Sequence, residues 1–341
     1  GWHQAAVHRR EKLDPGVRFE GPAIVLEASS TIVVEPGWSA ELLAHGEILL
    51  SDSGSDTALP ADTRSVLSME EHADPVTLEL FNNRFVDIAE QMGATLQRTA
   101  LSTNVKERLD FSCAIYDPQG ELVAHAPHIP VHLGAMGLCV RRVREQIDMS
   151  PGDVVVTNHP AFGGSHLPDV TLITPVFDGD SRTHAPLLGY VASRAHHAEI
   201  GGIRPGSMPP DARCLSEEGV VLEPQYLVRA GRARWSAIRE RLTTGPFPSR
   251  AVGENLADLQ AALAANQRGS GALRELVRSH GLEKVQRYMG LLTGQSEERI
   301  RRALGKYGEV RLSAEERLDD GTPLRVTISL TGGVGTIDFA G

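Results

Sequence analysis

Residues 154–176 read VVVTNHPAFGGSHLPDVTLITPV, two apolar runs on either side of a loop that carries two histidines, two glycines and an aspartate. Val154–Val156 and Thr171–Val176 are rich in β-branched residues and bounded by Gly, Pro and Asn, which predicts two strands. Leu187–Ala192 predicts a third. Upstream, Phe111–Tyr116 and Glu121–Ala124 flank Asp117-Pro118-Gln119-Gly120, a hairpin signal with Pro at the second turn position and Gly at the fourth. The region therefore reads as a mixed sheet. Helices surround it. Leu78, Phe81, Phe85, Ile88, Met92 and Leu96 recur every three or four residues and so share one face of a helix running to about Ala100. Asp74 is placed to cap that helix, and Pro75 occupies its first position, where no N–H partner is needed. Val131–Gln146 also reads as helix. Beyond Gly219, the stretches Glu254–Ala265, Ala272–His280 and Glu283–Leu304 have helical period, and Glu309–Leu312 and Leu324–Leu330 return to strand. The fold class is mixed α and β, without a fixed-period repeat.

Towards the N-terminus the texture changes. Between Gly21 and Leu50, short apolar runs alternate with turn residues such as Glu35-Pro36-Gly37, which predicts a small β-module. Ser51–Pro75 is rich in Ser, Asp, Ala and Pro and has no sustained period, the composition of a linker. The expected organisation is a β-module over 1–52, a linker over 53–73 and a second domain over 74–341. With 341 residues, 41% of them hydrophobic, the chain can bury a substantial core. A formal charge of -10 gives no reason to expect nucleic acid or an anionic membrane surface as partner. No apolar run approaches the roughly 18 residues of a membrane span. Three cysteines with no CxxC pair cannot build a disulfide framework and point to a reducing compartment, so a soluble cytoplasmic protein is expected. The missing initiator Met and an ending beside a strand-like run suggest a piece of a longer polypeptide, truncated at both ends.

Eight of the 13 histidines fall between His125 and His197. His125, His128 and His132 lie in an extended, proline-punctuated path into a helix start, and His159 and His166 bracket the Gly163-Gly164 loop. His184 stands apart, and His196-His197 precedes Glu199 and the Gly201-Gly202 pair. Imidazole nitrogen and carboxylate oxygen together bind divalent metals. A His-x-x-Asp pair, here His166 and Asp169, plus a distant His supplies three ligands and leaves positions for water or substrate. Histidines satisfied by backbone hydrogen bonds are the other reading of the same residues. The glycine pairs are expected to let backbone approach a ligand, or else to form ordinary tight turns. The sequence has no GxxxxGK[ST] phosphate loop, GxGxxG fingerprint, GxSxG elbow or HExxH helix, so no nucleotide site is visible.

Arg108–Ala114, Ala126–Met136, Gly163-Gly164-Ser165-His166-Leu167-Pro168-Asp169 and His196–Gly202 resemble the B-type half of the hydantoinase/oxoprolinase family. Residues 203–210 (IRPGSMPP), Glu217-Glu218-Gly219 and Asn255–Gln267 are similar to its 5-oxoprolinase branch, and Gly21–Gly37 resembles the C-terminal end of the A-type half. The resemblance implies a truncated α/β hydantoinase B-like domain and a tandem polypeptide. In that tandem an A-type, actin-like ATPase half binds ATP and phosphorylates the substrate, and the B-type half completes ring opening. The implied substrate is 5-oxo-L-proline or a related cyclic amide, the implied partner is the A-type half of the same polypeptide, and a homo-oligomer is expected. The isolated piece is expected to be inactive. Sister carboxylases of acetone and acetophenone carry a metal on a set matched by His166, Asp169 and His196, so these three are the implied ligands of a divalent ion, Mg, Mn or Zn. His197 falls outside that triad. Asp110, His128, His132, His197 and Glu218 are the candidates for acid/base work or substrate contact, with structural hydrogen bonding as the alternative for each. Cys113 lies near enough to Asp110 to be a pocket thiol or a buried one. An N-methylhydantoinase, a ketone carboxylase subunit and a non-enzymatic assembly segment are the competing readings.

Overall fold

The computed structural model describes residues 4–27, 31–43, 47–52, 75–179, 185–206 and 208–339. The expected linker, the Asp74 cap and His184 lie outside the described residues. Contacts divide the chain into two compact units, Gly1–His72 and Ala73–Gly341.

The first unit holds β1 (Ala6–Arg9), β2 (Arg18–Glu20), β3 (Ala23–Leu26), β4 (Thr31–Val34), β5 (Trp38–Leu42) and β6 (Ile48–Asp52). They form two three-stranded sheets, β1-β3-β4 and β2-β5-β6. Ala23, Val34 and Ala40 are its buried centre, with Phe19 and Ile48 packed against them. At Glu35-Pro36-Gly37 the Trp38 N–H donates to the Glu35 carbonyl at 3.1 Å and Gly37 takes φ 86. Pro at the second position and a positive-φ Gly at the third are what a type II turn requires.

The second unit begins with α1 (Pro75–Thr99), the short α2 (Thr103–Lys106), the hairpin β7 (Phe111–Tyr116) and β8 (Leu122–His125), and α3 (Pro130–Gln146). Then come β9 (Val154–Thr157), β10 (Asp169–Phe177), β11 (Leu187–His196), α4 (Leu215–Glu218), β12 (Gln225–Arg229) and β13 (Arg232–Ala233). Three helices follow, α5 (Trp235–Thr243), α6 (Val252–His280) and α7 (Leu282–Gly305). The last strands, β14 (Val310–Arg317), β15 (Pro323–Thr331) and β16 (Val334–Asp338), make a separate antiparallel sheet.

One seven-stranded sheet, in the order β13-β12-β9-β10-β11-β7-β8, organises this unit. Every pairing in it is antiparallel, so the mixed sheet read from the sequence is an antiparallel one. Successive residues of a strand point to opposite faces. Phe111, Cys113, Val156, Leu172, Val191 and Ala195 meet the core shared with α1, α6 and α7. Ala114, Tyr116, Val155, Ile173, Tyr190 and Ala192 meet Met136, Cys139, Val140 and Val143 of α3. Because helices cover both faces, β7 and β9 are buried at every position and read as mostly apolar runs, broken only by Ser112 and Thr157. The expected α1 stripe is observed, with Phe81, Phe85, Ile88, Met92 and Leu96 all buried. Two expected helices, Glu254–Ala265 and Ala272–His280, are one continuous α6. α1 packs closely against its glycine-containing middle, where a Cβ on Gly269 would collide with Met92 Sδ. Among the described residues, no helix is long and apolar enough to cross a membrane.

Candidate metal centre

Strand pairing assembles the site. β10 starts at Asp169 and β11 ends at His196, and the register sets these two residues opposite each other. They share a face with Thr171 and Arg194, the face towards α3. Beside them, the His196 N–H donates to the Asp110 carbonyl at 3.0 Å, which fixes Asp110 just ahead of β7. Leu109 holds φ 57, a left-handed backbone that turns the chain immediately before Asp110. His132 comes from the first turn of α3, and its Nδ1 lies 3.3 Å from Ser112 Oγ, leaving Nε2 directed at the carboxylates. His166 arrives on the loop after β9, where the Asp169 N–H donates to the His166 carbonyl at 3.0 Å. That tight turn is the structural content of the His-x-x-Asp spacing.

Three imidazoles thus surround one carboxylate. His166 Nδ1 is 3.1 Å from Asp169 Oδ2, while His132 Nε2 and His196 Nδ1 are 3.3 and 3.4 Å from Asp169 Oδ1. Asp110 closes the ring more loosely, 3.7 Å from both His132 Nε2 and His196 Nδ1. The Asp169 side chain is fully buried, yet neither of its oxygens has a partner in hydrogen-bond geometry. Burial would raise its carboxyl, but the imidazoles of His132, His166 and His196 overcome that and hold it well below the usual carboxylate range. His166 Nε2 also lies 3.1 Å from His196 Nδ1, two ring nitrogens facing each other. A ring nitrogen carries at most one proton, so protons cannot satisfy all of these contacts at once. A single divalent cation takes one lone pair from each ligand residue, which removes the conflict between the facing nitrogens of His166 and His196. One ligand atom each from His166, Asp169 and His196 lies within 4.8 Å of the others, and this donor set fits such an ion. His166, His196 and Asp110 retain 19%, 15% and 33% side-chain exposure, so the cluster is open to water and small molecules on one side.

The other candidates lie elsewhere. His128 accepts from the Cys113 N–H at 3.0 Å through Nδ1 and packs edge-on against Phe111, away from the carboxylates. Burial lowers its imidazole to about 4. His197 points to the opposite face of the sheet, where its Nδ1 is 3.1 Å from Asn255 Nδ2, and burial lowers it to about 4. Glu218 is half-buried at the end of α4 and makes neither a hydrogen bond nor an ion pair with the cluster; its backbone carbonyl backs onto Gly202 instead. Cys113 is fully buried among the α1 and α6 contacts, and burial pushes its thiol up. The glycine loop is packed against protein: a Cβ on Gly163, which has φ +78, would stand 2.7 Å from the Cys139 amide nitrogen of α3. His132, grouped in the sequence with the acid/base candidates, is a member of the cluster itself. Arg194 escaped the sequence reading altogether, since nothing in LLGYVASRAH marks it apart from its being a charge inside an apolar strand.

The sequence model of the Hydantoinase B/oxoprolinase family matches residues 74–341, and that of the hydantoinase/oxoprolinase C-terminal domain matches residues 1–51. 5-Oxoprolinase 1 of Arabidopsis thaliana is 43% identical over 100% of this chain, which spans only 28% of that relative. The ATP-dependent caprolactamase of Pseudomonas jessenii superposes with a TM-score of 0.69 at 26% identity, over 78% of this chain and 46% of its own. Acetone carboxylase in its nucleotide-free structure superposes with a TM-score of 0.67 over 78% of this chain and 37% of its own, at 16% identity, a likeness of fold alone.

Proposed function

The chain belongs to the hydantoinase B/oxoprolinase family, and from that premise we propose that its His/Asp cluster is the ring-opening site of an ATP-dependent cyclic amide hydrolase acting on 5-oxo-L-proline. The observation that carries this reading is Asp169, a buried carboxylate without a hydrogen-bond partner, ringed by three imidazoles. His166, Asp169 and His196 hold the cation, and two imidazole donors favour Zn over Mg or Mn. When bound, the cation would supply Lewis-acid activation of the water that attacks the carbon of the phosphorylated amide. This chain's own groups do the rest. Asp110 is the more exposed of the two carboxylates, at the mouth of the cluster, and accepts a proton from the attacking water. His132, buried and braced by Ser112, lies between Asp110 and Asp169 and holds Asp110 in place, and Asp110 returns the proton to the ring nitrogen as it leaves.

A five-membered lactam resists water because its amide is resonance-stabilised, so phosphorylation of the amide oxygen must first create an imidate-like carbon. That step falls to an ATP-using A-type half of the same polypeptide, whose C-terminal domain is the Gly1–His72 unit. Similarity to a 5-oxoprolinase of Arabidopsis and to an ATP-dependent caprolactamase supports ATP-driven opening of a cyclic amide. The test uses the full-length protein, with ATP-coupled release of glutamate from 5-oxo-L-proline and metal content measured for wild type and His166→Ala. Activity and stoichiometric metal in wild type, with both lost in the variant, are expected. Equal, negligible metal in both proteins would remove the metal site. Turnover of N-methylhydantoin in place of 5-oxoproline would move the substrate, and bicarbonate-dependent consumption of acetone would move the reaction class.

A further inference from the structure

Arg194 is the largest side chain that the fold buries completely. Among the described residues no carboxylate pairs with it, although an unpaired buried guanidinium is costly and an uncharged side chain of similar length would fill the same space. We infer that Arg194 is a positioning residue for the cluster, a fork that fixes the Gly163–Ser165 loop and with it His166. This inference rests on the metal reading of the site above.

The geometry is specific. Arg194 lies two residues before His196 on the same face of β11, opposite Thr171. Its Nε donates to Thr171 Oγ1 at 2.8 Å, its Nη1 to Ser165 Oγ at 3.3 Å and its Nη2 to the Gly163 carbonyl at 2.8 Å. One contact ties the fork to β10, the strand that carries Asp169. The other two tie it to the loop that ends at His166. On its far side the same loop abuts α3, since a Cβ on Gly163 would stand 2.9 Å from the Ala135 carbonyl oxygen. The loop is therefore held between Arg194 and the helix that carries His132. Without the fork, the two glycines at 163 and 164 leave His166 on a chain segment that has little intrinsic stiffness. A lysine cannot replace the fork, because one ammonium on a flexible stem cannot reach three acceptors in a plane.

Outer partners that orient metal ligands are worth about 10–100-fold in metal affinity. The decisive experiment compares Arg194→Lys and Ser165→Ala with wild type in the full-length protein. It measures Zn²⁺ affinity by chelator competition, amide hydrogen exchange over residues 160–168, and global unfolding. For Arg194→Lys the expected result is a Zn²⁺ Kd raised about 10–100-fold, faster exchange confined to 160–168, and unchanged exchange in β10. Ser165→Ala should move both readouts the same way by less. Wild-type Zn²⁺ affinity and wild-type loop exchange in Arg194→Lys would overturn the inference, as would a loss of affinity matched by exchange that rises evenly across the unit. If wild type itself takes up no Zn²⁺, the metal reading fails, and the exchange comparison still decides whether Arg194 holds the loop.

Discussion

The two faces of the central sheet receive adjacent histidines at the end of β11 and treat them differently. On the α3 face, His196 meets Asp169, His166 and Asp110 at 3.1–3.7 Å, contacts that protons cannot satisfy together. On the α6 face, His197 meets a completed network. Asn255 Nδ2 reaches both His197 Nδ1 at 3.1 Å and the Glu199 carbonyl at 2.6 Å, and Ser249 Oγ lies 2.6 Å from Asn255 Oδ1. The Glu199 carboxylate accepts from the backbone N–H groups of Gly201, Arg250 and Ala251. Two polar clusters on opposite faces of one sheet therefore differ in whether their hydrogen bonds close. A network that closes specifies the fold, and one that does not close leaves a place for a ligand.

The largest effect should come from breaking the open cluster. Asp169→Asn keeps the shape of the side chain and removes the anionic carboxylate on which three imidazoles converge. Metal affinity should fall by more than the roughly 10–100-fold that an outer partner costs, and ATP-coupled ring opening should vanish with it. Chelator competition and the glutamate assay check both. Global unfolding by denaturant should shift too, because the imidazoles that stabilise the carboxylate lose their anionic partner, so metal affinity is read on the folded protein.

The closed network should respond the other way. Asn255→Leu fits the space but strands the His197 ring nitrogen and the Glu199 carbonyl, both buried. At about 1–3 kcal/mol per stranded group, the unfolding free energy should drop by about 3 kcal/mol. Zn²⁺ affinity of the folded protein should stay within about threefold of wild type, an effect smaller than that of an outer ligand partner. Equal damage to affinity would mean that the two faces are one unit.

This contrast marks how far the sequence could be read. Local periodicity exposed α1, the β7–β8 hairpin and the strands at Val154–Val156 and Thr171–Val176, because each depends on residues a few positions apart. His-x-x-Asp was legible for the same reason, as a single turn. Whether a histidine lands in the open cluster or in a satisfied pocket depends on partners more than 50 residues away, such as Asn255 for His197. His128 and His132 sit four residues apart on a path broken by Pro127 and Pro130, where no period predicts which of them turns towards the carboxylates. Arg194 and the unbroken α6 were hidden likewise. Their partners are a loop 30 residues upstream and a methionine on another helix.

His128 sharpens the comparison at its smallest scale, since it belongs with His197 among the satisfied histidines. Its Nδ1 accepts from the Cys113 N–H, so the folded state needs the neutral ring, and burial lowers it from the ordinary 6.5 to about 4. The unfolded chain then binds more protons between these values, and folding stability must fall as pH drops from about 6.5 towards 4. At pH 5 the loss from this one group is on the order of 1 kcal/mol relative to neutral pH, since solvent screens a ring that is only partly buried. His128→Asn keeps an acceptor for the Cys113 N–H and removes the titration. Denaturant unfolding at a series of pH values should therefore show a shallower acid limb for the variant, by about that amount at pH 5. An unchanged acid limb would place the proton-sensitive group elsewhere and return His128 to the candidates for the open cluster.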